Sequence, residues 1–247
     1  MQLRRVHYRA CAMQPPHRHE DGSLSLVVAG QLEETSASTC HRASVGSVVI
    51  KPADSLHADS YGPRGACIIQ IRTDAGPFSK YGLGSYRWFE STTLARAVLA
   101  CLSDEHHGAE SAELGLWDVL ASVFDKYPCE NAAPPRAWFT RVLDRLERGV
   151  NEPVSVSGIA REVDVHPVHL ARVFRAHFGR TIAKHVRERR VLAAWRAIEA
   201  DGPPLAVVAA RFGFADQAHM TRAFGEILGL SPGRLKRLGT RREAAGA

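Results

Sequence analysis

Apolar and polar residues follow one pattern in the first part of this chain and another in the rest. Up to about residue 75, short apolar or alternating runs are separated by glycine and proline. The runs are 23–29, 31–35, 46–51 and 67–72. Such runs are typical of antiparallel strands in a sandwich or small barrel. From residue 92 onward, apolar residues recur every three or four positions, which predicts amphipathic helices. The pattern therefore favours an α+β protein of two domains.

Two helical stripes connect the halves. The first follows positions 94–102 and the second 114–124. They either close the open end of the β-unit or pair with a second copy of the chain. We expect both, and therefore a homodimer, so residues 91–127 are assigned to packing and dimerisation. The prolines and the asparagine of residues 128–136 predict a linker.

The second half, residues 137–238, contains an internal repeat whose copies are residues 159–181 and 208–231. Both copies begin with a small alanine and end in the pattern Arg-x-Phe-(x4)-Gly-x-(Thr or Ser). A small residue lets two helices cross closely, a tight turn follows, and a capping residue starts the second helix. Each copy therefore predicts a helix-turn-helix unit. Asp216 is a good cap, whereas His166 is a poor one, and Asp164 stands where the second unit has Gly213.

A predicted helix over residues 182–199 separates the two units. Its 18 residues span about 27 Å at 1.5 Å each, and with the end turns the two second helices lie about one B-DNA turn apart, about 34 Å. Two helices so placed enter successive major grooves on one face of a duplex. A generic helical bundle is the alternative, but packing alone does not require duplicated caps, glycines and arginines.

Residues 137–238 resemble the DNA-binding domain of the AraC/XylS family of bacterial transcription regulators. The most specific motif is Gly213-Phe214-Ala-Asp216-Gln-Ala-His219-Met-Thr-Arg222-Ala-Phe224, followed by Gly229-Leu-Ser231-Pro232. The first unit fits through Leu170-Ala-Arg172-Val-Phe174 and Gly179-x-Thr181, and Arg190 falls where the family's linker helix carries a basic residue. Met220 stands in place of the usual phenylalanine and, with His166 and Asp164, departs from the family pattern.

The resemblance implies that the first turns of the two second helices contact base edges. The matching residues are Val168, Ala171 and Arg172 in the first unit and Gln217, Ala218, Thr221 and Arg222 in the second. Arginine pairs with guanine and glutamine with adenine through two hydrogen bonds, while Ala, Val or a Thr methyl contacts the thymine methyl. Expected phosphate contacts are Arg175, Lys184, Arg187, Arg189, Lys236 and Arg237. The structural alternatives are intradomain ion pairs for Arg172 and Arg222, and simple packing for Val168 and Ala171.

Charge divides the chain at the same place. The net charge of +6 is the sum of −3 for residues 1–135, with 12 Lys/Arg and 15 Asp/Glu, and +9 for residues 136–247, with 20 and 11. An excess of this size fits a polyanionic partner such as double-stranded DNA. The alternative interpretation is a basic surface that is only solvated, because such a surface would carry the same positive net charge without a partner. Residues 239–247 form a basic tail that we expect to be disordered.

The first half resembles the small cupin-like β-barrel that precedes such DNA-binding domains, so residues 1–90 are assigned to a sensor barrel. The resemblance covers residues 10–75 and depends on Pro16-His17-Arg-His19, then Gly30, then Gly46-Ser-Val-Val-Ile-Lys-Pro52 leading to His57. In metal-binding cupins an H-x-H pair, a carboxylate and a third histidine form the site. Ser23 stands near the carboxylate position, and the available substitutes are Glu20, Asp21, Glu33 and Asp59.

Three interpretations compete for His17, His19 and His57. On a strand His17 and His19 point to the same face, and His57 joins them from a facing strand, which suits Zn, Ni, Fe or Cu. The second interpretation is a metal-free pocket that holds a polar or anionic effector, and the third is structural or surface histidines. The pair His106-His107 lies between the two helical stripes and has no third partner nearby in sequence, so we interpret it as part of a loop.

The alternative function is a cupin-type metal-binding enzyme or metal sensor fused to a DNA-binding module. However, the sequence contains no nucleophile–base constellation, G-x-G-x-x-G motif or Walker motif.

Composition excludes other classes. Five widely spaced cysteines without a C-x-x-C pair argue against a disulfide framework or a cysteine-type zinc site. No stretch approaches the roughly 20 apolar residues of a membrane-spanning helix, and the first residues do not resemble a secretory leader, so we expect a cytoplasmic protein. The sequence thus predicts a DNA-binding transcription regulator, not an enzyme. Its expected partners are DNA, a small-molecule or metal effector and RNA polymerase, with no required cofactor.

Overall fold

The structure is a computed structural model that describes residues 2–36, 39–73, 86–102, 137–152, 154–199 and 202–240. These residues form one antiparallel sheet and a set of helices. The strands are β1 (Gln2–Tyr8), β2 (Met13–His17), β3 (Gly22–Ser36), β4 (Thr39–Ser44), β5 (Ser47–Lys51), β6 (His57–Thr73) and β7 (Arg87–Glu90). The helices are α1 (Thr92–Cys101), α2 (Ala137–Arg148), α3 (Val156–Glu162), α4 (Pro167–Phe178), α5 (Ile182–Glu199), α6 (Leu205–Arg211), α7 (Gln217–Leu228) and α8 (Pro232–Gly239).

The sheet is built around its two longest strands, β3 and β6, which pair along most of their length. The strand order is β1-β6-β3-β5-β7, with β2 added to β6 and β4 added to β3. In the described strands β1 and β7 lie at the two ends of this path and do not pair, so the closed barrel expected from the sequence is not observed. Alternation along a strand indicates which faces are buried, but it does not indicate whether two distant edges meet.

Strand β3 continues through Gly30, where the sequence predicts an interruption. Gly30 has a φ of +75°, and a Cβ at this position would lie 2.0 Å from the carbonyl oxygen of Gly65. The pairing register shifts on either side of Gly30, so the strand bulges and then resumes. The sequence located the irregularity, but a bulge and a turn both select glycine, and only the pairing with β6 distinguishes them.

The two faces of β3 are both buried, and they differ in character. Leu24, Leu26 and Val28 pack on the helices, on the side that we call the outer face. Ser23 and Ser25 alternate with them and point to the opposite side, which we call the inner face. The inner face therefore combines buried polar groups with a small apolar cluster around Val27 and Tyr61.

The two helix-turn-helix units are packed differently. The first unit, α3 and α4, forms a separate core with α2 and the start of α5, centred on Phe139 and Phe174. The second unit, α6 and α7, shares one continuous core with α8, the rest of α5 and the outer face of the sheet. Phe224 and Trp195 lie in this shared core, and both are almost fully buried. The sequence predicted these helices correctly but did not predict that the second unit and the sheet share a core.

Helix α1 packs against β5 and α7, so the first helical stripe lies in the core that the sheet shares with the second unit. The second stripe (114–124), His106-His107, the linker (128–136) and residues 241–247 of the tail lie outside the described residues. The homodimer therefore stays a prediction. Among the helices that the structure describes, none has both the length and the apolar character needed to cross a membrane.

The two phenylalanines of the repeat test this difference in packing. Phe174→Ala and Phe224→Ala each remove a ring that is 0% exposed and should each cost about 3–5 kcal/mol of unfolding free energy. In hydrogen exchange followed by mass spectrometry, Phe224→Ala should reduce protection in β3 and β6 as well as in α5–α8, because these elements share one core. Phe174→Ala, the matched control, should reduce protection mainly in α2–α4. Unchanged protection of β3 and β6 in Phe224→Ala would contradict the shared core.

Candidate DNA interface and histidine cluster

The turn between the helices has the same hydrogen bond in both repeat units. The carbonyl of Ala160 accepts from Val165 N at 2.9 Å, and that of Ala209 accepts from Phe214 N at 3.0 Å. Both alanines are fully buried, as close helix crossing requires. Asp164 has a φ of +55° and Gly213 a φ of +70°, so the aspartate adopts the left-handed conformation predicted for it.

Both second helices begin with a side-chain cap. Asp216 Oδ1 accepts from His219 N at 2.6 Å, and the ring nitrogen Nδ1 of His166 accepts from Val168 N at 3.3 Å. The poor cap predicted at His166 therefore still occupies the capping position. The turn of the second unit is one residue longer, because the repeat spacing is 49 from Ala160 to Ala209 and 50 from His166 to Asp216.

The residues expected to contact bases lie on accessible faces of α4 and α7. Six of them are exposed: Val168, Ala171, Arg172, Gln217, Ala218 and Arg222. Thr221 is half-buried, and its hydroxyl donates to the carbonyl of Gln217 at 2.9 Å. Val168 is 69% exposed, so it does not pack in the described core.

The described residues show no intradomain ion pair for Arg172 or Arg222, the structural alternative to base contact. Arg222 makes no ion pair with any of them, and Arg172 contacts only the ring of His169, with 3.4 Å between Nη2 and Nδ1. Both guanidinium groups are thus available to a ligand.

The expected phosphate contacts fall into two groups. Arg175, Lys184, Lys236 and Arg237 are exposed. Arg187 pairs with Glu226 at 2.5 Å, and Arg189 pairs with Glu90 at 2.6 Å and with Glu147 at 3.0 Å. A phosphate would have to displace these carboxylates, so the four exposed residues remain the stronger candidates.

Arg190 connects the two helix-turn-helix units. Its guanidinium donates to the carbonyls of Val150 at 2.9 Å and Glu152 at 2.7 Å after α2, and to that of Gly213 at 3.2 Å in the second turn. The sequence marked Arg190 only as a basic position, because its three partners are backbone groups that no side-chain pattern reveals. Arg190 therefore holds the units in place.

Glu90, at the end of β7, attaches the sheet to α5. It accepts hydrogen bonds from Arg196 at 2.7 Å and from Arg189 at 2.6 Å. Burial raises the pKa of Glu90, but the two arginines lower it below its usual value. Because Arg189 also contacts Glu147 of α2, this chain of charges connects the sheet, α5 and the helix that supports the first unit.

The structure brings the three predicted histidines together. Their ring centroids are 4.4 Å apart for His17 and His57, 4.9 Å for His17 and His19, and 5.3 Å for His19 and His57. Nδ1 of His17 lies 2.8 Å from the carbonyl of Pro15, while Nδ1 of His19 lies 3.3 Å from a guanidinium nitrogen of Arg72. Burial and the cations Arg72 and Lys51 lower the pKa of His19, and burial and Lys51 lower that of His57 to about 4, so these two rings are neutral at pH 7.

Beside the histidines lies a buried group of carboxylates and one lysine. Glu34 and Asp59 face each other across β3 and β6, and Lys51 donates to Glu34. Burial raises the pKa of Glu34 to about 8, although Lys51 lowers it. Sequence reasoning named Asp59 as one of several substitutes for the missing carboxylate and overlooked Glu34, Lys51 and Arg72, because the pairing of β3 with β6 is what places them here.

The other carboxylates considered from the sequence lie elsewhere. Glu33 pairs with Arg42 at the surface at 2.6 Å, and Glu20 and Asp21 are exposed. Ser23, which stands near the carboxylate position of the cupin pattern, is buried on the inner face.

Comparison with known proteins gives one matching family model and several similar proteins. A family model described as "Helix-turn-helix domain" matches residues 159–238. The chain is 30% identical over 103 residues to the probable transcription factor PqrA of Proteus vulgaris, a match that covers 42% of this chain and 80% of PqrA. It is 32% identical over 96 residues to the HTH-type transcriptional regulator GlxA of Rhizobium meliloti, covering 39% of this chain but only 30% of that relative.

Among solved structures, ToxT from Vibrio cholerae aligns over 97% of this chain and 99% of its own, with a TM-score of 0.44 and 10% identity. An AraC-type DNA-binding domain protein from Chromobacterium violaceum aligns over 44% of this chain and 95% of its own, with a TM-score of 0.39 and 21% identity.

Replacing Glu90 by glutamine should lower the free energy of unfolding in a pH-dependent way. A carboxyl group whose pKa is lower in the folded than in the unfolded state stabilises the fold above its unfolded pKa, and the effect is lost as the pH falls through the folded pKa. For Glu90 the usual value is 4.5 and the folded value lies below it. The difference between wild type and Glu90→Gln, measured by urea unfolding, should be present at neutral pH and should shrink as the pH falls below about 4.5.

Glu33→Gln is the matched control for this measurement, because Glu33 also pairs with an arginine but does so at an exposed site within the sheet. Glu33→Gln should change the free energy of unfolding much less than Glu90→Gln does, because exposed ion pairs contribute little to stability. A Glu90→Gln effect that is independent of pH would show that the lost stability does not come from the charge of Glu90.

Proposed function

This chain belongs to the AraC/XylS family of helix-turn-helix transcription regulators, and from that premise we propose that it regulates transcription by binding two successive major grooves of duplex DNA. Residues 137–238 supply the DNA-binding part. Helices α4 and α7 enter the grooves, and α5 sets the distance between them. The observation that carries this proposal is the duplicated turn and cap, each followed by a helix whose expected base-reading face is exposed.

The chemistry of the two reading faces differs. On α7, Arg222 and Gln217 have the donors and acceptors to pair with guanine and adenine through two hydrogen bonds each. On α4, Arg172 is accompanied by the apolar Val168 and Ala171, which suit the thymine methyl group. The second unit therefore reads more hydrogen-bonding information than the first, and we expect an asymmetric site with its stronger half under α7.

We also propose that the N-terminal half senses an effector through His17, His19 and His57. Of the two occupants that the sequence leaves open, a metal ion or an anion, Arg72 favours the anion at this cluster, because its guanidinium lies 3.3 Å from the His19 ring. No cofactor is required for DNA binding in this proposal, and no catalytic activity is part of it.

The shared core provides a route from effector to DNA. Strands β3 and β6 carry the sensor groups on the inner face, and their outer face packs on α5 and α8. An effector that shifts these strands would change the population of the orientation in which α7 meets DNA. Dimerisation through residues 91–127 and contact with RNA polymerase complete the proposed regulator.

Selection of bound sites from random duplexes should return two motifs about one helical turn apart. Arg222→Ala should then cost about 1–3 kcal/mol at one guanine position and relax the preference there. Lys236→Ala is the matched control: it should weaken binding to all sequences alike and lower the slope of log K against log salt by about 1. Salt-sensitive binding without sequence preference would contradict the proposed regulator.

The effector site is tested by thermal unfolding of the purified protein with inorganic phosphate, succinate and benzoate as anionic probes. At least one probe should raise the melting temperature of wild type, because binding to the folded state stabilises it. The rise should be lost in Arg72→Gln and in His19→Gln, and it should persist in Arg64→Gln, which removes an arginine of β6 that contacts Glu199 of α5. Equal responses in all four proteins would place anion binding elsewhere.

A further inference from the structure

His57 belongs to two different groups of potential ligand atoms. One is the histidine cluster with His17 and His19. The other consists of His57, Glu34 and Asp59, all three buried, with one ligand atom from each within 4.8 Å of the other two. We call this second group the inner donor set. It was not expected from the sequence, because Glu34 lies 23 residues before His57 and on another strand.

Strand pairing explains why the inner donor set converges. Glu34 on β3 is the direct antiparallel partner of Asp59 on β6. His57 is two residues before Asp59, so both side chains point to the same face of the sheet. Three side chains with ligand atoms are thus fixed on rigid strands rather than on loops, which holds their separation nearly constant.

Two carboxylate oxygens of this set have unused hydrogen-bonding capacity. Oε1 of Glu34 and Oδ1 of Asp59 are buried and have no hydrogen-bond partner within the described part of the chain. The two residues are 1% and 6% exposed, so water at the protein surface does not serve them. A buried acceptor left without a partner costs about 1–3 kcal/mol, and in folded proteins such groups usually have a partner, an ion or a water.

The imidazole of His57 has one unprotonated nitrogen that is available to a metal ion. Its Nδ1 lies 2.8 Å from the carbonyl oxygen of Ser55. A carbonyl oxygen only accepts, so Nδ1 carries the proton and Nε2 is the unprotonated nitrogen. A hydrogen bond from the second ring nitrogen to a backbone carbonyl is the arrangement that orients metal-ligating histidines.

Charge distinguishes the inner donor set from the histidine cluster. The inner set contains the carboxyl groups of Glu34 and Asp59, and a cation binds them in the deprotonated form, so it displaces the proton of Glu34. The cation in contact with this set is Lys51, which donates to Oε2 of Glu34. His17 and His19 are not members of this set, and His19 contacts Arg72 instead. A divalent cation is therefore attracted to the inner set and repelled from Arg72.

We propose that Glu34, His57 and Asp59 bind one divalent first-row transition-metal ion, such as zinc, on the inner face of the sheet. A carboxylate oxygen of Glu34, Nε2 of His57 and a carboxylate oxygen of Asp59 are the protein ligands, a nitrogen and oxygen set that suits such ions. Bonds of about 2.1 Å in a tetrahedral site bring ligand atoms to about 3.4 Å from each other, so the side chains close by at most about 1.4 Å. Lys51 competes with the ion for Glu34.

Cobalt(II) is the probe for this site, because its visible absorption responds to coordination. The full-length chain, freed of metal with a chelator, is titrated with Co²⁺ by absorption spectroscopy and calorimetry. Wild type should bind one Co²⁺ per chain through the inner donor set. Glu34→Gln, Asp59→Asn and His57→Gln should each weaken binding by roughly 100-fold or more, since each removes a ligand.

His17→Gln and His19→Gln are the matched controls, because they remove a neighbouring imidazole without touching Glu34 or Asp59. Their Co²⁺ affinity should stay within about three-fold of wild type. Lys51→Gln should bind Co²⁺ about ten-fold more tightly, because it removes the competing ammonium group. A purely structural role of Lys51 would give the opposite result, a loss of affinity together with a loss of fold.

Three results would overturn the proposal: no Co²⁺ binding by wild type, loss of binding in the His17 and His19 variants with retention in the Glu34 and Asp59 variants, or weaker binding by Lys51→Gln. Circular dichroism and cooperative unfolding identify any variant that fails to fold, and in that case the other two single substitutions in the inner donor set decide. DNA binding by the metal-free wild type is measured in parallel. Failure of the cation site leaves that result unchanged, so it is distinguishable from failure of the proposed regulatory function.

Discussion

Apolar side chains on the outer face of β3 and β6 share one core with the second helix-turn-helix unit. Leu26 and Ile69 from the sheet and Trp195 and Phe224 from the helices belong to this core, and all are almost fully buried. Tight packing makes such a core resist small displacements, so the sheet and α7 move together. The placement of the reading face of α7 therefore depends on the geometry of the sheet.

This packing gives β3 and β6 two chemistries on opposite sides. Their outer face is apolar and fixed to helices, while their inner face carries Glu34, His57 and Asp59 beside the histidine cluster. Because successive residues of a strand point to opposite faces, a ligand on the inner face acts on the same backbone that supports the second unit. The proposed effector residues and the helices of the second unit thus lie on opposite sides of the same two strands, so a shift of a strand displaces groups on both faces.

The first helix-turn-helix unit is more independent. It has its own core, and it is connected to the rest through α5, the three carbonyl contacts of Arg190 and the contacts of Arg189 with Glu90 and Glu147. Polar connections of this kind are partly open to solvent and therefore yield more readily than a shared apolar core, because water and salt screen the charges. The two units are similar in sequence and turn geometry, yet they differ in how firmly they are attached to the sheet.

Local sequence signals are sufficient to predict the helical half. The repeat, its caps and its glycines predict α3, α4, α6 and α7, and the 18-residue α5 matches residue for residue, because these signals are local. The sequence pattern also identified His17, His19 and His57, whose rings lie next to one another in the structure. Tertiary structure decided the remainder: the bulge at Gly30, the open sheet, the core shared with the second unit, and the meeting of Glu34 with Asp59 and of Glu90 with two arginines. Each of these features depends on which distant strands and helices pack together. An amino-acid pattern indicates which face of an element is buried, but it does not indicate which other element covers that face.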